Sequence, residues 1–492
     1  MTQLRILAPV VVDYYAVPGA SLRDPVSHAR FWRERQPELD DLLRRLDPAT
    51  TASPAEAPPA GGPGSAPPPD PGPPPAIELK HTRPRSSLNL YRTISYHGDE
   101  RTLHVLTGTL RPAHLPDEFT GATDALHTGV TEISFRLYDH GLMLLEMLSD
   151  VDGWLAGHAG ELTTRLDELQ AAAVAMGERV AREVVRRYLD PVLALLRAAD
   201  PDERVLLAAT PADDPVRAEF GEVLWVTRSL LVNPEAPDAA EMIRHWVKDV
   251  TVRDGDRPPA ERLIEGELSH LVRWLNYIFL DRTGAGGRML PGDPFRDQWE
   301  ALRYAQVFYG VLERIDTRLS TILADTAAAR SRWELEQLRG ELTRLSQRAE
   351  LIIMERQNVS KYLKRGVRVE MDAILDFWDC ERLLEQPVLF KVELCSRRLA
   401  ELAARRTARS AMFTDLILLG IAMTSILGTA LAVTEFGRSV ATDPEMSVYD
   451  LGRSSIVEWV AAQPADAVVI SSGVLSVLLV VIYLFFRRDR ST

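Results

Sequence analysis

Two uncharged apolar runs near the C-terminal end limit what this chain can become more than any other feature. Residues 416–433 (LILLGIAMTSILGTALAV) and 467–486 (AVVISSGVLSVLLVVIYLFF) hold no Asp, Glu, Lys or Arg. Each approaches the ~20 apolar residues that a helix needs to cross a hydrocarbon core about 30 Å thick. In lipid every peptide group must be bonded within the protein, and a single span achieves this only as a helix. The sequence therefore predicts two transmembrane helices, 411–433 and 467–486, joined by a connector over 434–466.

Charge on the flanks sets the direction. Arg397, Arg398, Arg405, Arg406 and Arg409 precede the first run, and Arg487, Arg488 and Arg490 follow the second within the basic tail 487–492. The connector carries six acids against Arg438 and Arg453. Because positive charge is retained on the cytoplasmic side, both termini are expected in the cytosol and the connector outside. The arginines also suit anionic lipid, at about 1 kcal/mol for each one near the surface. Asp415 falls at the headgroup level of the first helix, where a carboxylate costs little.

Small and hydroxyl residues lie at matching depth. Gly420, Thr424 and Gly428 recur every four residues, with Ser425 and Thr429 beside them, and Ser471, Ser472, Gly473 and Ser476 occupy the outer half of the second helix. Such spacing lets helix backbones approach closely in lipid. It predicts a packed hairpin or an oligomer seam; a hydroxyl-lined pore is the sharper alternative.

The remaining sequence reads as an α+β cytosolic region followed by long helices and the C-terminal two-helix transmembrane hairpin. A first strand over 4–17 and a helix over 24–47, interrupted by Pro37, open the α+β domain (1–47). Between positions 48 and 75 stand 12 prolines in 28 residues, a composition that cannot bury a core and favours an extended, solvated chain, so 48–76 is expected to be a disordered insertion. The domain resumes over 77–200 with strand-like runs at 88–96, 102–109, 131–138 and 142–148, the last two joined through Asp139-His140-Gly141 as a hairpin. A helical region then covers 154–198, with a kink expected near Pro191. A second α+β segment, 201–292, repeats the order with strands over 204–209 and 222–232, a helix over 239–247 and an apolar run over 271–280; an internal duplication would produce this order.

From 293 to 410 the pattern is helical and coiled-coil-like. Phe308, Leu312, Ile315, Leu319 and Ile322 form one heptad seam, and Leu335, Leu338, Leu342, Leu345, Ala349 and Ile352 a second, shifted in phase, so a break is expected within 325–332. Residues 388–433 lack proline and can form one helix of about 70 Å at 1.5 Å per residue, long enough to carry a movement into the bilayer.

Other classes find little support. The net charge of −13 argues against a nucleic-acid surface. Arginine outnumbers lysine 52 to 5, as GC-rich bacterial codon usage produces. Cys380 and Cys395 lack a CxxC pair and fit free thiols in a reducing cytosol. The opening residues lack the charged-then-apolar design of a signal peptide. The loop TGAGGRMLPG at 283–292 has Met289 where a dinucleotide fingerprint has glycine, and no GK[ST] follows. Asp150-Val151-Asp152-Gly153 opens like a calcium loop, but its glycine stands fourth instead of sixth. His97, His104, His114, His127 and His140 form no HExxH or paired metal spacing, and no GxSxG elbow is present. Neither a cofactor, a metal site nor an enzymatic role is expected.

The layout of a cytosolic α+β domain, long helices and a two-helix hairpin with both ends inside resembles the CorA-like divalent cation channels. That family carries Gly-Met-Asn after its first membrane helix, often behind an aromatic residue. Here Phe436-Gly437-Arg438-Ser439 stands at that place. The resemblance implies a homo-oligomer, and in its sharpest form an ion channel with Thr424, Ser425 and Gly428 facing the pore. The residues themselves point first to a membrane-anchored sensing or interaction protein, with an unidentified cytosolic protein or small ligand as partner and no nucleic acid. A membrane-anchored nucleotide-binding enzyme is the third class.

Overall fold

The computed structural model describes residues 2–15, 25–46, 77–81, 104–110, 125–138, 140–157, 160–202, 204–205, 220–248, 257–283, 293–328, 331–359, 363–442, 455, 459 and 462–489. The expected insertion 48–76 and the expected strand 88–96 lie outside these residues, and β2 begins at Ile77. The chain divides into two compact units, Met1–Cys395 and Ser396–Thr492.

In chain order the first unit contains β1 (Gln3–Tyr15), α1 (Pro25–Leu46), β2 (Ile77–His81), β3 (His104–Leu110), β4 (Val130–Tyr138) and β5 (His140–Asp150). Then come α2 (Leu162–Val184), α3 (Asp190–Ala198), β6 (Thr227–Val232), α4 (Ala239–Trp246), α5 (Pro259–Ile264), β7 (His270–Leu271) and β8 (Asn276–Leu280). Long helices follow: α6 (Arg296–Ala328), α7 (Arg332–Val359), α8 (Arg365–Phe377) and α9 (Gln386–Thr442), which continues into the second unit. The second unit also holds α10 (Ala465–Asp489).

All eight strands form one mixed sheet in the order β2-β3-β4-β5-β1-β6-β8-β7. Only β6 and β8 pair in parallel among these neighbours. The segment read as a second α+β region thus adds its strands to the sheet that β1 begins. Its expected strand at 204–209 is absent at 204–205, and the rest of that stretch lies outside the described residues. The apolar run 271–280 holds the end of β7, a turn over 272–275 and the whole of β8.

Both faces of the sheet are covered, and the sequence shows why. Strand β5 is buried at nine consecutive positions, the pattern of a strand enclosed above and below. On one face Leu4, Ile6, Ala8 and Val10 of β1 share a core with Leu166, Leu169, Met176 and Val180 of α2. Gly177 permits this approach: a Cβ there would lie 3.1 Å from Val226 and 3.3 Å from Ile6. The helix widens into a π turn at Val185–Leu189 immediately before Pro191. Pro191 has no N–H to donate, and the π turn absorbs the missing bond, so the expected kink has this form.

Helix α6 covers the opposite face, with α7 and α8 packed on it. The two heptad seams are mostly buried inside this unit, Phe308 to Ile322 on α6 and Leu335 to Ile352 on α7, with Leu338 half-buried. The break falls between Ala328 and Arg332. Ser331 and Glu334 form a reciprocal capping box at the start of α7, Ser331 N to Glu334 Oε2 at 3.0 Å and Glu334 N to Ser331 Oγ at 3.1 Å.

Candidate functional site

The residues read as membrane-directed lie in the second unit. Among the described residues one helical stretch is long and apolar enough to cross a membrane, Phe413–Phe436, with mean hydropathy 2.3. A core helix of a soluble protein passes the same test of length and composition, but it is buried; none of this stretch's most apolar window is. The stretch runs three residues past the expected 433. In α10 the described apolar stretch is Val469–Leu478, shorter than a span.

Three threonine hydroxyls along the apolar part of α9 are bonded to their own helix. Thr424 Oγ1 donates to the carbonyls of Gly420 at 3.1 Å and Ile421 at 2.9 Å, Thr429 to Ser425 at 2.8 Å and Thr434 to Ala430 at 2.7 Å. Ser472 in α10 likewise donates to Val469 at 3.0 Å. Back-bonding of this kind pairs these hydroxyl protons in an apolar medium.

The close-packing face read from Gly420, Thr424 and Gly428 is exposed, and Ser425 and Thr429 are exposed beside it. A Cβ at Gly420, Gly428 or Gly473 would meet nothing within 4 Å. Among the described residues of this unit Thr434, Ser472 and Ser476 are buried, while Ser471 is exposed. Arg397, Arg398 and Arg405 are exposed on α9, which also includes Arg406 and Arg409; Arg487 and Arg488 belong to α10, and Arg490 lies outside the described residues.

The first unit contains a charged layer that the sequence did not disclose. Arg5 on β1, Arg136 on β4 and Arg303 on α6 converge on Glu146 of β5. Strand register explains the convergence. Leu7 and Ser134 stand opposite Glu146, so Arg5 and Arg136, each two residues away along a neighbouring strand, share its face within diagonal reach. Arg303 closes from the helix above, Nε to Oε1 at 2.5 Å and Nη2 to Oε2 at 2.7 Å. The Arg5 guanidinium also lies 5.0 Å from the Trp299 ring centroid.

Burial alone would raise the Glu146 carboxyl, but Arg136, Arg303 and Arg5 outweigh it and hold the group well below the usual carboxylate range. Glu132 nearby goes the other way: burial pushes it up against the pull of Arg5. Burial also pushes Tyr138 up to about 12. A carboxylate kept ionised by three cations is a poor proton donor or acceptor near neutral pH. The layer clamps α6 to the sheet.

One step along α6, Gln306 bridges two sheet-side groups. Trp225 Nε1 donates to its Oε1 at 2.5 Å and its Nε2 donates to Thr227 Oγ1 at 2.6 Å. At the sheet edge His270 of β7 joins Ser269, Oγ to Nδ1 at 3.0 Å, with Glu370 of α8, Nε2 to Oε1 at 2.9 Å. The ring stacks on Phe279 at 5.5 Å. A hydroxyl, an imidazole and a carboxylate stand in sequence here, but Ser269 directly precedes His270 and the residues sit on the sheet edge. What this contact does in the fold is fasten α8 to β7.

Among the described residues no group of three His, Cys, Asp or Glu side chains is placed to hold a metal ion. Cys380 and Cys395 are free and buried, and burial pushes the Cys380 thiol up to about 12, where it is no nucleophile at neutral pH. The chain matches no protein-family model, no curated protein and no solved structure.

Proposed function

We propose that this chain is a bacterial inner-membrane protein whose sheet-and-helix unit senses a ligand or binds a protein in the cytosol and passes that event to a transmembrane hairpin. The observation carrying this reading is Phe413–Phe436, a stretch of 24 residues with mean hydropathy 2.3 whose most apolar part is not buried. Apolar surface exposed on that scale has no stable place in water, and a bilayer supplies its solvent. The arginines before and after the apolar runs, with six acids between them, support cytosolic termini and a second span at 467–486. A fold-back is further supported by Arg438, which donates to the Gln463 carbonyl at 3.4 Å across 25 positions.

In this reading the protein is a homo-oligomer with no catalytic role, acting as a signalling platform or as an effector that perturbs the bilayer once triggered. The test is a pair of reporter fusions combined with flux measurements in liposomes. A reporter at residue 444 is expected outside and one at the C-terminus inside, with no steady ion flux. An intracellular reporter at 444 would overturn the hairpin. Reproducible flux that is lost on Thr424→Trp would replace this reading with the CorA-like channel.

A further inference from the structure

Helix α8 buries Val367, Met371, Ile374 and Leu375 against the first unit and is tied down by the Glu370 contact to His270. Its other side is left uncovered. Val369 is 57% exposed and Phe377 49%; Ala373, four residues from each, is exposed between them. The apolar surface continues onto Trp274, 44% exposed, whose ring lies 5.5 Å from Trp378. Arg273 reaches over the Phe377 ring at 5.3 Å.

Charge along this helix is divided in a particular way. Arg365 and Arg368 stand in its N-terminal half, Asp372 and Asp376 in its C-terminal half; three are exposed and Asp372 is half-buried. At 100° per residue Arg365, Asp372 and Asp376 fall on one flank of the Val369–Ala373 stripe, with Arg368 further round the same side. The order is unfavourable for the helix itself, since cations at its N-terminus and anions at its C-terminus oppose the macrodipole. It becomes favourable when a second, antiparallel copy lies against it.

We propose that α8 is a self-association surface, in which two copies of this chain pair their α8 helices antiparallel about a two-fold axis near residues 370 and 371. The pairing sets Val369 against Ala373 of the second copy. It also sets Arg365 against that copy's Asp376, and Arg368 against its Asp372. A two-fold interface must complement itself in this manner, each contact occurring twice. In a parallel two-fold pair this charged flank would face the opposite flank of the second copy, and its arginines and aspartates would not meet. Burial, reinforced by Asp376 and opposed by Arg356 and by the same chain's Arg368, pushes the Asp372 carboxyl up, and an arginine delivered by the second copy adds to that opposition.

This inference rests on the homo-oligomer reading above and names its contact. Light scattering on the full-length chain in mild detergent tests it, with circular dichroism to verify folding. The wild-type chain is expected at an even multiple of the protomer mass. Val369→Asp combined with Phe377→Asp is expected to halve that mass or to raise the dissociation constant at least tenfold. Arg365→Asp and Asp376→Arg are each expected to weaken association, and the double reversal to restore it, a rescue that only facing charges give. Unchanged mass in every variant, or a double reversal no better than the singles, overturns the α8 contact and leaves the oligomer reading standing. A monomeric wild-type chain overturns both.

Discussion

Arg303 of α6 holds Glu146 of β5 in a two-point ion pair, Nε to Oε1 at 2.5 Å and Nη2 to Oε2 at 2.7 Å. Both side chains are almost wholly enclosed, at 9% and 2% exposure. Since Arg5 and Arg136 share the same carboxylate, this one anion balances three cations beneath a helix. Removing it leaves Arg5 and Arg303 buried without the carboxylate that they share. Glu146→Gln is expected to destabilise the first unit by about 3–5 kcal/mol, whereas Arg136→Gln, which leaves two arginines on the carboxylate, costs less. Denaturant titration of each variant reads this order directly.

The pH dependence of stability follows from two carboxyls shifted in opposite directions. The folded chain holds Glu146 below the ordinary value of 4.5. Its contribution is therefore complete above 4.5 and is lost as pH falls toward the folded value. Glu132 is raised in the folded chain by burial. Its protonated form is the favoured one, so its contribution is complete below 4.5 and is lost as pH rises through the folded value. Glu132→Gln is expected to increase stability at neutral pH, and Glu146→Gln to flatten the acid limb. Thermal melts between pH 3 and 7 separate the two effects.

Gln306 lies fully buried between Trp225 and Thr227. Gln306→Leu removes both its donor and its acceptor and leaves the indole N–H without its acceptor. A loss of about 1–3 kcal/mol is expected, with a change in tryptophan emission as the environment of Trp225 alters. The double variant Gln306→Leu with Trp225→Phe removes the stranded donor and is expected to recover part of the loss.

Much of the sheet could be read from the chain because its strands are locally patterned. Strand β1 appears as a β-branched and aromatic run, and β4 with β5 as two such runs around a glycine. Gly141, the second residue of β5, has φ +78, a left-handed conformation that suits glycine. Contacts between distant positions left no such mark. Arg5 and Arg303 lie 141 and 157 positions from Glu146, and in sequence these are ordinary surface-type charges. A helix of 33 residues covering the sheet turns them into a buried cluster. The run 271–280 concealed a β7–β8 turn because β8 pairs in parallel with β6, a partner no local pattern indicates. Of the residues read as membrane-directed, the apolar length of the first run was legible, and the small residues within it stand exposed on the single chain. Gly420 and Gly428 have no neighbour within 4 Å of an added Cβ.

A charge introduced halfway along Phe413–Phe436 probes that stretch by itself. Ser425→Arg is expected to cost about 2.5–3.5 kcal/mol of insertion free energy and to reduce the membrane-integrated fraction of the chain. Thr424→Val is expected to be nearly silent, because the hydroxyl serves only carbonyls of its own helix.

The most direct measurement is the partition of the full-length chain after vesicles are washed with alkaline carbonate. A bilayer-spanning Phe413–Phe436 predicts that the protein stays in the membrane pellet, and that Ser425→Arg shifts part of it to the wash. Quantitative release of the wild-type chain would contradict the account.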